Sequence, residues 1–130
     1  MARTNAGATL QVAQMFQAAA SGAATGVSRA SDYIALTQNT GAPALTDTVL
    51  PGEETANGLA RKQGTVSYTA GTTNVAISAA FTYTGTGITI AGAGLFNAAS
   101  GGTLFARVLN SLTSVLGQND SITQTFTITI

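Results

Sequence analysis

The sequence predicts a mainly β protein: an antiparallel β-sandwich or jelly-roll-like single domain, preceded by a short N-terminal helix or arm. Three observations carry this. Apolar and hydroxyl side chains alternate with a period of two along much of the chain; clusters of Gly, Asn, Asp and Ser cut that alternation into short runs; and helix-forming spacing occurs only near the N-terminus. The 130 residues suit one compact core. Residues 1–30 form the helix or arm with its linker, and residues 31–130 form the sandwich-like domain.

In chain order, Val12, Met15, Phe16 and Ala19 fall at i, i+3, i+4 and i+7, which gathers them on one face of a helix. A helix from about Ala8 to Ala20, stopped by Gly22, is expected; the rival reading is an arm that orders only against a partner. Residues 21–30, rich in Ala, Ser and Gly, read as a linker. Strands follow at Tyr33–Thr37, Gly64–Thr69, Ala93–Phe96 and Leu104–Leu109.

The clearest alternation lies in Val75, Ile77, Ala79, Phe81 and Tyr83, which ends in Thr84-Gly85-Thr86-Gly87 and resumes at Ile88 and Ile90, so a hairpin is expected there. At the C-terminus Ile122, Phe126, Ile128 and Ile130 alternate with Thr123, Thr125, Thr127 and Thr129. Successive strand residues point to opposite faces, so one face is oily and the other hydroxylated. Threonine suits the outer face because it is β-branched and its hydroxyl stays wet.

Residues 41–57 hold both prolines and form one long connection. Connections of more than about 12–15 residues are uncommon unless they act as arms or binding loops. Thr46 to Thr55, with Thr46, Asp47, Val49, Leu50 and Pro51 at its head, is therefore expected to reach across a subunit boundary. Arg61 follows the acidic pair Glu53 and Glu54 closely, and its fork matches a carboxylate, so an ion pair pinning this connection to the sheet is expected.

Composition narrows the function. Charged residues make up 8% of the chain and cancel to a formal net charge of zero. A nucleic-acid partner is not expected, because phosphate binding needs a basic stripe and the only adjacent basic pair is Arg61-Lys62. No run reaches the roughly 18 apolar residues of a membrane span. Gln11, Gln14 and Gln17 interrupt the stretch where a signal peptide needs an unbroken apolar core, so the chain is expected to fold in the cell that makes it. So few charges would leave a bare surface poorly soluble, which points to a chain covered by neighbours.

Chemistry is equally sparse. There is no Cys and no His, which removes thiol nucleophiles, Ser-His-Asp triads and zinc sites of the usual kind. The acids are Asp32, Asp47, Glu53, Glu54 and Asp120, and nothing in their spacing argues that two converge as a glycosidase pair. Asp120 reads as part of a turn before the last strand rather than a calcium loop. Gly92-Ala93-Gly94 resembles the start of a dinucleotide fingerprint, but it has β pattern on both sides, so its glycines read as a bulge or a close backbone approach. No catalytic residue, metal or cofactor is expected, and the chain reads as a non-enzyme.

Several segments, taken in order, resemble a family of small virion proteins of tailed bacteriophages, head decoration and tail-fibre proteins among them. They are Tyr33 to Thr37, Asp47 to Leu50 with Glu53 or Glu54, Gly58 to Arg61, Phe81 to Gly85, Ala93 to Ala98, Gly101 to Leu104, and Asp120 to Ile130. The resemblance implies a β module displayed in many copies on the virion. Compact size, absent chemistry, a near-neutral surface and a terminal segment free to lie across a neighbour then make the leading expectation a capsid decoration or cement protein, bound as a homotrimer to the outer surface of the major capsid protein lattice. The alternative is a tail-fibre or adhesion module that binds a host-surface glycan.

Overall fold

The computed structural model describes residues 15–16 and 30–130. Most of the helix expected over Ala8–Ala20 and of the linker lies outside the described residues; Met15 and Phe16 are helical. Seven strands follow: β1 (Tyr33–Thr37), β2 (Lys62–Gln63), β3 (Thr65–Tyr68), β4 (Asn74–Thr82), β5 (Ile88–Phe96), β6 (Leu104–Leu116) and β7 (Ser121–Thr129). They form two antiparallel sheets, one ordered β2-β1-β5-β6 and the other β3-β4-β7. The chain is a β-sandwich.

The two-residue rhythm is what closes the sandwich. In β4 the buried residues are Val75, Ile77, Ala79 and Phe81, while Asn74, Ala80 and Thr82 are exposed. These inward side chains meet Ile34 and Leu36 of β1, Ile90, Ala93 and Leu95 of β5, and Phe126 of β7 in one core. Burying such a side chain contributes about 1.5–3 kcal/mol, enough to drive both sheets onto a shared oily layer. Phe16 is fully buried in the same layer and meets Phe105 of β6 edge-on, with ring centroids 5.6 Å apart. The amide of Ser31 donates to the Met15 carbonyl (2.8 Å), which ties the helical residues to the start of β1.

Three expectations are corrected. First, the hairpin after Tyr83 is a crossing between sheets. Both edges of β4 are taken, by β3 and by a ladder with β7 running from Asn74↔Thr129 to Thr82↔Ser121, so β5 has no edge to pair with. The Tyr83 amide extends that ladder by donating to the Asp120 carbonyl (2.8 Å), and its hydroxyl then braces the corner against the Gly87 carbonyl (3.0 Å) and amide (3.2 Å).

Second, Ile88, Ile90 and Ala93–Phe96 belong to one strand, β5. It shows no alternation because both of its faces are covered: Ala93 and Leu95 join the main core, while Phe96 joins a second cluster with Ala35 and Leu50 on the opposite face. Gly92 lies beside a register shift after Ile90, and a side chain there would overlap the Val108 carbonyl oxygen, so the glycine serves close backbone approach.

Third, β6 runs on to Leu116, past the Leu109 expected as its end. Its register with β5 jumps from Gly92↔Leu109 to Ile90↔Ser114, setting Asn110 to Thr113 against Ala91 alone, and these surplus residues bow the edge strand. Asn110 uses the bow to exchange two amide hydrogen bonds with Gln124 of β7 (3.1 and 3.2 Å), which satisfies the one polar side chain that β7 buries. The turn between β6 and β7 is closed by the Asp120 carboxylate, which accepts the Gly117 amide (2.7 Å).

Candidate functional site

The connection between β1 and β2 carries most of the polar chemistry, and it lies on the outer face of the four-stranded sheet. It starts by extending β1: Thr37 bridges to Glu53, and the Glu54 amide donates to the Leu36 carbonyl (2.9 Å). The Thr37 hydroxyl bonds the Pro51 carbonyl (2.5 Å), and Leu50 is buried against Ala35 and Phe96. Of the residues expected on an inter-subunit arm, three are fastened to their own domain: Leu50 by filling the space above Gly94, Pro51 through Thr37, and Asp47 through Arg107 of β6. Thr46 is exposed, and Val49 is 65% exposed.

Two arginines hold this connection down. Arg61 grips Glu53 with both arms of its fork, Nε to Oε2 at 2.7 Å and a terminal nitrogen to Oε1 at 2.8 Å. Its remaining nitrogen donates to the carbonyls of Ala98 (3.1 Å) and Gly101 (2.7 Å), and the guanidinium lies 3.4 Å from the centroid of the Phe96 ring. One side chain thus joins the β1–β2 connection, the β5–β6 loop and the strand beneath. Glu54 stands outside this pair and instead accepts the Gln38 side-chain amide (2.8 Å).

The second arginine, Arg107 of β6, was not anticipated. It donates to Asp47 (2.6 Å), to the Gly41 carbonyl (2.9 Å) and to the Asn39 side chain (3.3 Å). The backbone amide of Ala44 and the Arg107 guanidinium hold the Asp47 carboxyl below its ordinary value of 3.8, so this contact is fully charged at neutral pH. No local spacing links Asp47 to a partner sixty residues away, which is why the sequence concealed the pair.

Beside this pair runs a groove of about 410 Å³, between Pro43, Ala44, Leu45 and Asp47 on one wall and Leu104 to Arg107 on the other. Its charges cancel within the pair, and its lining surface is about equally polar and apolar. The acids do not gather: among the described residues no three metal-ligating side chains stand together. Among those residues, too, no helix is long and apolar enough to cross a membrane.

The outer surface divides in two. The face of β3, β4 and β7 presents Thr65, Ser67, Ser78, Thr82, Thr123, Thr125, Thr127 and Thr129, knitted by contacts such as Ser78 to Thr125 (2.8 Å). The long edge strand β6 instead exposes Phe105 (44%), Leu109 (39%), Leu112 (83%) and Val115 (77%), with Leu45 (108%) nearby across the groove. Against protein-family models, characterised proteins and solved structures, the chain has no match.

Proposed function

We propose that this chain is a non-catalytic structural protein of a tailed-phage virion, a decoration protein seated on the outer surface of the major capsid protein lattice. The observation that carries the reading is how the polar groups are spent. Both arginine–carboxylate pairs and the Asn110–Gln124 amide pair fasten one part of the chain to another, while apolar and hydroxyl side chains are left facing outward. A surface of that kind works by contact.

The order of segments resembling small phage virion proteins supports the same reading. Several of them meet around Arg61: Gly58 to Arg61 supplies the arginine, Ala93 to Ala98 the ring and one carbonyl, and Gly101 to Leu104 the other carbonyl. A module that binds the assembled shell but not its free subunits stabilises the shell by mass action, and many weak contacts add. Virions assembled without this protein are therefore expected to release DNA at a lower temperature than complete ones. Equal heat resistance would remove the cement role.

A further inference from the structure

We infer that Asn57 is a site of spontaneous deamidation, where the Gly58 amide closes on the asparagine side chain and turns a neutral loop residue into aspartate and isoaspartate. The inference goes beyond the proposed function and does not rest on it.

Three features single out this residue. Asn57 is the one asparagine of the sequence followed by glycine, so no side chain crowds the amide that must attack. Both residues are exposed, in the stretch between Glu53 and Arg61 that their ion pair closes. Neither reacting group is engaged: among the described residues nothing hydrogen-bonds the Asn57 side chain or accepts the Gly58 amide.

The other described asparagines are held back. Asn39 and Asn97 turn their side-chain oxygens onto the amides of Gly41 (2.8 Å) and Thr103 (2.7 Å), Asn74 accepts the Thr129 hydroxyl (3.2 Å), and Asn110 is paired with Gln124. Asn119 gives the sharpest contrast. It is exposed and left-handed like Asn57, with φ of +67° against +58°. The amide that follows it belongs to Asp120, which carries a side chain, and is spent on the Gly117 carbonyl (3.1 Å).

The chemistry needs only water. The Gly58 nitrogen gives its proton to a solvent base and bonds to Cγ of Asn57; the Cγ–Nδ2 bond breaks, and Nδ2 takes up a proton and leaves as ammonia. Water then opens the resulting succinimide at either ring carbonyl. Opening at Cγ yields aspartate; opening at the backbone carbonyl yields isoaspartate, whose main chain runs through the former side chain and is one methylene longer. Each product adds one negative charge. Isoaspartate also takes the Asn57 carbonyl out of the main chain, and that carbonyl accepts the Thr84 amide (2.9 Å) just after Gly58 has passed tightly against the Thr82 carbonyl. The loop is thereby loosened from the end of β4.

Holding the purified full chain at mildly alkaline pH tests this. Isoelectric focusing is expected to show a growing species below the fresh protein's pI of about 6.0, and fragmentation mass spectrometry is expected to place isoaspartate at Asn57 and not at Asn119. Asn57→Gln should abolish the acidic species, because a side chain one carbon longer must close a larger ring; Asn119→Gln should leave it as in the wild type. The mapping needs no variant, so it decides the matter even where Asn57→Gln folds poorly. Separated by ion exchange, the isoaspartate form should melt below the fresh chain. No acidic species, isoaspartate at another asparagine instead, or an acidic species formed equally by folded Asn57→Gln would overturn the inference, and an isoaspartate form that melts with the fresh chain would overturn the loosening of the loop.

Discussion

Arg61→Ala is expected to lower the melting temperature by roughly 10–15 °C. The side chain is 9% exposed and its partner Glu53 21% exposed, so the pair is mostly out of water. Truncating one partner of such a pair leaves a shielded carboxylate without its counter-charge, which costs about 3–5 kcal/mol where burial is complete. With Glu53 one-fifth wet, about 3 kcal/mol is expected. Two carbonyls and the face of Phe96 lose their cation at the same time. Arg61→Lys should recover little, because an ammonium cannot reach both carboxylate oxygens and two carbonyls in fixed directions. A melting temperature unchanged by Arg61→Ala would mean that Leu50, Thr37 and the Arg107–Asp47 pair hold the β1–β2 connection without Arg61.

Gly58→Ala should be comparably damaging, for a backbone reason. Gly58 has a φ of +83°, where an L side chain is strained, and an added methyl group would overlap the Thr82 carbonyl oxygen. Left-handed strain costs about 1–2 kcal/mol and forced overpacking about 1–3, so a loss of about 3 kcal/mol is expected in denaturant titration. Gly87 is the control. A methyl group there meets nothing within 4 Å, so Gly87→Ala should be neutral or slightly stabilising. Equal effects at the two positions would show that the close approach of Gly58 to the end of β4 does not matter.

Much of this fold was legible because burial on one face writes a period of two into the sequence. Tyr33–Thr37 has the bounds the sequence implied, and the strands around Phe81 and Phe126 follow their alternation closely. What could not be read was where the chain turned next. Thr84 to Gly87 makes a turn by composition, but composition does not say whether the following strand returns to the same sheet or crosses to the other. That depends on β7 occupying the edge of β4, a pairing between residues 39 to 55 positions apart.

The site was legible to the same depth. Arg61 lies eight residues after Glu53, close enough for the pair to be read from order and charge; which of Glu53 and Glu54 it takes depends on which one bridges Thr37. Arg107 and Asp47 offered no such cue. A signal for the β6 surface was present, though. Leu104, Phe105, Val108, Leu109, Leu112, Val115 and Leu116 break the two-residue rhythm and put apolar side chains on both faces of the bowed edge strand.

Contact surface is the working part proposed for this protein, and the most direct check of that proposal is to image purified virions at a resolution that separates sheets from helices. Density matching a two-sheet sandwich in regular copies on the outside of the head is the expected outcome. Heads that carry no such density, from particles whose host cells made the protein in quantity, would contradict it.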